Sequence, residues 1–388
     1  MRLKQSIVHG RHAPEKLLVF LFILGAQAVI FSPWLYAQNI SAFPRTAPDP
    51  KALEYFRRQN YTWEDLSEIS LWAGGNLTPE NIGGIAAAAT LLNNSGDFPL
   101  SGRERAEYIL TFMHKNYLRS YSHYQTRVDT IFINGSYNCV SSAVLYMILC
   151  ELAGIDTSAV ITREHVFIMV HIDGQDIDVE TTNKFGFDPG NRKEFHDQFG
   201  RLTGFSYVPA RNYRSRQTIG KIELISLILN NRIADLERRN NYADAVPAAI
   251  DRAALLYGDS LAETADESDS LFHDPRKDLM DRLLNYGGAL LNAGREEDSL
   301  RWAAAASSLY PSRDRWDALI HAAFNNRITR FLTDNNAAGA RNFLENNRAY
   351  LKDIYYAGFN AIITDFDLSY RRTAHREAVI PNTETKRD

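Results

Sequence analysis

The sequence predicts an α+β fold, helices packed on a small antiparallel sheet, continued toward the C-terminus by an α-helical array. Three observations predict it. N-cap residues followed by apolar residues at helical spacing recur through residues 49–113. Apolar runs broken by Asp173-Gly174 occupy residues 159–179. From Ile222 to Tyr356 one helical pattern follows another.

Residues 1–37 read as an export signal or an N-terminal membrane anchor. Arg2, Lys4, Arg11 and Lys16 precede the apolar stretch Leu17 to Phe31, and Pro33 and Ala37 mark a cleavage region. That stretch is short of the roughly 20 residues of a spanning helix, which favours cleavage; Leu35, where a small residue is preferred, keeps the anchor open. Either reading puts the rest of the chain outside the cytoplasmic membrane, periplasmic or secreted, with membrane contact only through this segment. Without residues 1–37 the chain carries 39 basic and 46 acidic side chains. That balance argues against general nucleic-acid binding, which needs a positive surface.

A polar connector, Ser41 to Pro48, leads into four helix starts: Asp49 before Pro50, Thr62 three before Asp65, Thr78 before Pro79, and Ser101 three before Glu104. Val128 to Ile133 predicts a short extended run closed by an Asn134-Gly135 turn. Val140, Val144, Leu145, Ile148, Leu149 and Leu152 predict a core helix that Gly154 ends. Val160-Ile161, Val166 to Ile172 and Ile177 to Val179 predict strands.

In the helical region, Asn241 to Ala245, Arg295 to Ser299 and Asn336 to Ala340 resemble one another, and each joins two helical patterns. Residues 216–365 thus resemble a degenerate tetratricopeptide-type array, its spacing stretched by an insertion. The acidic stretch Asp259 to Asp274 reads as a solvated linker and residues 366–388 as a polar, disordered tail.

The chemistry centres on Cys139, which opens the apolar helix, with His165 26 residues later and Glu180 15 beyond that. A cysteine in the first helical turn sits where the helix dipole and unpaired N–H groups favour a thiolate. His165, at the start of a strand, is the candidate base. Glu180 is the candidate acid that accepts the second imidazole N–H, with Asp178 as the alternative acid. Tyr137 either contributes to an oxyanion site or packs. His171 and Cys150 read as structural. Cys139 and Cys150 lie roughly 16 Å apart along a helix, too far for a disulfide. No spacing typical of a zinc site and no glycine-rich phosphate loop occurs, so neither metal nor cofactor is expected.

Asn138-Cys139 with its helix, Glu164-His165-Val166-Phe167 and Asp178-Val179-Glu180-Thr181-Thr182 resemble the transglutaminase-like superfamily, the circularly related cousins of papain-type proteases. The resemblance implies a transglutaminase-like domain within residues 41–215, with Glu180 in the place of the family's acid. It implies a Cys139 thioester formed from an amide or peptide carbonyl and passed to water or an amine, with a protein or peptide substrate. The alternative is a catalytically inactive core whose helical array binds a protein partner.

Overall fold

Side-chain caps start the first four helices. Asp49 accepts the Lys51 N–H at α1 (Pro50–Arg57), and Thr62 and Asp65 form a reciprocal capping box at α2 (Trp63–Ala73). Thr78 caps α3 (Pro79–Asn93) and Ser101 caps α4 (Gly102–Asn116) through the Asn81 and Glu104 N–H groups. The computed structural model describes residues 43–99, 101–163, 165–190, 216–261 and 271–379. All of them belong to one unit running from Ser41 to Asp388. The expected export segment, most of the acidic linker and the last nine residues lie outside the described residues.

After α4 come β1 (Ser120–Tyr121), α5 (Asp129–Asn134) and β2 (Ser136–Tyr137), with β1 and β2 paired in parallel. The extended run expected at 128–133 is therefore a short helix. Val128 and Ile131, three apart, are buried together, whereas Ile133 is 66% exposed, so the burial follows a helical and not an alternating pattern. Gly135 ends the helix in the left-handed region (φ 76°), so Asn134-Gly135 serves as a helix cap and not a hairpin turn.

α6 (Cys139–Leu152) is buried at every position from Val140 to Cys150, which is why its sequence is apolar nearly all round. It packs on β3 (Asp156–Ile161) and β4 (Val166–Ile172). These pair with β5 (Gln175–Val179) and β6 (Gln217–Ile219) in an antiparallel sheet of order β5-β4-β3-β6. Asp173 and Gly174, at φ 51° and 74°, make the two-residue turn between β4 and β5. Helices on a small sheet thus give the mixed α+β class the sequence predicts.

The C-terminal half is α7 (Lys221–Arg238), α8 (Tyr242–Tyr257), α9 (Pro275–Asn292), α10 (Glu296–Leu309), α11 (Arg313–Thr333), α12 (Ala337–Asn346) and α13 (Asp353–Val379), each packed on the next. The three similar stretches begin α8, α10 and α12. Each follows a left-handed residue, Asn240, Gly294 or Asn335, that reverses the chain. α13 runs to Val379, so residues 366–379 are helix and not a disordered tail. The Phe366 and Tyr370 rings stack at 6.3 Å and Asp367 pairs with Arg371 at 3.0 Å, both one turn apart, so local contacts extend the helix past its last core residues.

The array is joined to the core at its first two helices: α7 packs against α2 and α6, and α8 packs against α1. Arg45 and the Asp49 N–H both bind Asp251 of α8, at 2.7 and 2.8 Å. Among the described residues no helix is long and apolar enough to cross a membrane.

α9, α10 and α11 converge on Gly287. A Cβ there would lie 2.4 Å from Leu319 and 3.3 Å from the buried Trp302. Gly287→Ala is expected to destabilise the protein by about 1–3 kcal/mol through overpacking, read as a lower urea midpoint at unchanged slope.

Candidate active site

Cys139 is delivered by its helix cap. Asn138 Oδ1 accepts the Ser141 N–H at 3.0 Å and Ser141 Oγ accepts the Asn138 N–H at 3.0 Å. Asn138 Nδ2 donates to the His123 carbonyl and Ser141 Oγ to the Gln125 carbonyl, both at 3.2 Å, tying the cap to the loop after β1. The thiol is free and half-buried at the helix N-terminus; Cys150, the second free cysteine, is wholly buried and its thiol is pushed up by burial.

His165 immediately precedes β4 and Glu180 immediately follows β5. The antiparallel register, Ile168 opposite Val179, carries both to the same end of the sheet. His165 Nε2 meets Glu180 Oε2 at 2.6 Å, and the Cys139 thiol lies close enough to act on the imidazole. Burial works against protonation of His165, but the Glu180 carboxylate, together with hydrogen bonds to Cys139 and Glu180, overcomes it and raises the pKa to about 10. The imidazole is therefore an imidazolium at neutral pH. Cysteine, histidine and glutamate are brought together at one end of the sheet, the last two joined by a hydrogen bond.

The acid is held from behind. Glu180 is fully buried, and its Oε1 accepts the Thr182 N–H at 3.1 Å and the Thr182 hydroxyl at 2.6 Å. The chain then turns back so that Glu180 N–H donates to the Gly186 carbonyl at 2.8 Å. A Cβ at Gly186 would lie 1.9 Å from the Glu180 carbonyl oxygen, so this return admits only glycine. Ser142 of α6 and Thr181 join hydroxyls at 2.8 Å, and His114 Nε2 donates to the Thr181 carbonyl at 3.1 Å. Burial pushes the His114 pKa down to about 4, so this histidine is a neutral strut.

Of the remaining candidates, Asp178 is engaged by Arg216 through two hydrogen bonds, at 3.0 and 2.7 Å, and makes none to His165. Tyr137 donates its hydroxyl to the Thr182 carbonyl at 3.3 Å; it braces the acid's turn and does not point a donor at the sulfur. His171 bridges Ser158 at 2.9 Å and Asp176 at 2.7 Å, clamping three strands on an exposed flank six residues, or roughly 20 Å, from His165.

Sequence reasoning missed Tyr121. The β1–β2 bridge sets it opposite Tyr137, rings edge-on at 5.8 Å, and its buried hydroxyl faces the Cys139 sulfur with no nitrogen or oxygen partner. Burial first, then the neighbouring Cys139 and Glu180, hold the phenol in its protonated, donating form. A two-residue bridge has no periodicity to detect; the repeated Ser-Tyr dipeptide at 120–121 and 136–137 is the one trace of it.

Cys139 and His165 line a cleft of about 650 Å³, and α7 supplies the facing wall through Leu227, Asn230, Asn231, Ala234 and Arg238. Among the described residues no group of three or more His, Cys, Asp or Glu side chains could hold a metal. No protein-family model matches the chain, and no curated protein matches it.

Two outcomes follow from the buried pair. The folded state holds the His165 proton up to about pH 10, whereas free imidazole releases it near 6.5. The pair's stabilisation is thus complete below pH 6.5 and fades as pH rises to about 10. The urea midpoint of the wild type should fall relative to that of Glu180→Gln across this window. Thr182→Val, which keeps the shape and removes a hydroxyl from a carboxylate, should cost about 1.5–3 kcal/mol in the same assay at pH 7.

Proposed function

We propose that the chain is a thiol enzyme of transglutaminase-like architecture that forms a Cys139 thioester from an amide or peptide carbonyl. The observation that carries this reading is the line Cys139–His165–Glu180, closed by a 2.6 Å hydrogen bond and opening on a cleft. The Cys139 sulfur attacks the carbonyl carbon, and the carbonyl π pair moves to oxygen. As that oxyanion collapses, the C–N bond breaks and the His165 imidazolium gives its proton to the leaving nitrogen. Neutral His165 then takes a proton from water or a primary amine, which attacks the thioester and returns the thiolate. Glu180 keeps the ring in register throughout. Tyr121 supplies a hydrogen-bond donor for the charge that passes between sulfur and carbonyl oxygen. The tetratricopeptide-like array contributes α7 to the substrate cleft, which gives it a part in substrate selection.

Incubation with glutamine-containing peptides, with and without a primary amine, tests the reading. Ammonia release should occur, incorporation of the amine should separate transfer from hydrolysis, and Cys139→Ala should abolish both, a fall of at least about 10³-fold. Tyr121→Phe should lower kcat by about 10²–10³ with KM unchanged. No turnover, together with a Cys139 that iodoacetamide modifies no faster at pH 6 than a free thiol, would leave the core as a scaffold for a protein partner.

A further inference from the structure

We propose that the Cys139 cleft selects an acyl donor bearing a carboxylate, and that Arg163 is the residue that pairs with it. This rests on the thiol-enzyme reading only for the identity of the attacked carbonyl; the anion subsite stands on the cleft's own charges.

Among the described residues three guanidinium groups line the cleft, Arg163, Arg238 and Arg252, against one carboxylate, Asp235. The excess is positive although the chain as a whole has net charge −4. Two of the three already pair with a carboxylate. Arg252 binds Asp278 at 2.6 Å with its guanidinium 5.5 Å from the Phe272 ring centre, and Arg238 binds Asp235 at 2.5 Å while lying 4.8 Å over Tyr124. Asp235 is shared further with Arg239 at 2.8 Å, so both of its oxygens already face an arginine. Arg163 differs: it is exposed and makes no ion pair or hydrogen bond among the described residues.

Its position follows from the β3–β4 turn. Thr162 N–H donates to the His165 carbonyl at 2.9 Å, closing a tight loop that holds Arg163 two residues from the imidazole. A guanidinium fork free of partners at the edge of a thiol cleft is a bidentate site for a carboxylate. On the facing wall the Asn230 amide has no partner among the described residues and can read the peptide backbone of the same ligand. The chemistry fits an acidic peptide, whose carboxylate comes either from a Glu or Asp side chain or from a free C-terminus.

Alkylation of the full chain by iodoacetate and by iodoacetamide isolates the charge effect, since the two reagents differ in bearing an anion or a neutral amide. The His165 imidazolium attracts iodoacetate equally in wild type and in Arg163→Gln, so the difference between them reports Arg163. The iodoacetate-to-iodoacetamide rate ratio should fall about threefold in Arg163→Gln with the iodoacetamide rate unchanged, and added salt should narrow the wild-type ratio. An unchanged ratio at an intact iodoacetamide rate would overturn the proposal.

Calorimetry on Cys139→Ala supplies a readout independent of sulfur. Acetyl-Gln-Glu-amide, acetyl-Gln-Ala with a free C-terminus, and acetyl-Gln-Gln-amide distinguish a side-chain carboxylate, a terminal one and none. One of the first two should bind at least about threefold more tightly than the third, and Arg163→Gln should erase the difference. Equal affinities overturn the proposal. A preference that persists while the thiol proves inert upholds the anion subsite and removes the thioester chemistry.

Discussion

The constraint on which the site depends is the burial of a charged carboxylate beside an imidazolium. An ion removed from water costs several kcal/mol, and its partner's attraction repays that only when the remaining lone pairs are also satisfied. Glu180 meets this condition with both oxygens engaged, one by His165 and the other twice by Thr182. The surrounding architecture keeps that arrangement dry and fixed: the Gly186 return, the Ser142–Thr181 contact, the neutral His114 and the Tyr137 hydroxyl all bind the same short turn. Three of these four props come from elements distant in sequence, so the acid's position reports the fold of the entire core.

The same sheet end that gathers the acid and base also receives the N-terminus of α6. Antiparallel pairing brings the start of β4 and the end of β5 together, and packing of α6 across β3 and β4 brings its first turn to them. The end of the helix that carries Cys139 is thus the one with unsatisfied N–H groups. The array then contributes through one face of α7, whose positions 227, 230, 231, 234 and 238 recur at helical spacing toward the cleft. Core and array share a boundary that is also the wall of the site, which gives the array a direct route to influence what reaches sulfur.

Legibility followed the range of the interactions. Caps are local, so Asp49, Thr62, Thr78 and Ser101 marked their helices correctly. The reversed turns of the array are equally local, set by Asn240, Gly294 and Asn335. The short segment at 128–133 was misread because its apolar and β-branched residues suit a strand by propensity, while burial of Val128 with Ile131 is a tertiary fact. The end of α13 was misread as tail because its polar composition hides stabilising contacts one turn apart. Tyr121 left no signal at all, since the bridge that positions it is two residues long and closes across α5.

The chain's order of cysteine, histidine and acid, its helix and strand starts, and its three repeated helical turns were determined by the sequence itself, because each rests on residue type and short-range spacing. Only the tertiary structure decided that Glu180 and not Asp178 meets His165, that Tyr137 braces while Tyr121 faces the sulfur, and that Arg163 stands at the cleft unpaired among the described residues. The physical reason is that each of these turns on which of several chemically equivalent groups comes within about 3 Å of a partner, a distance set by packing between elements far apart along the chain.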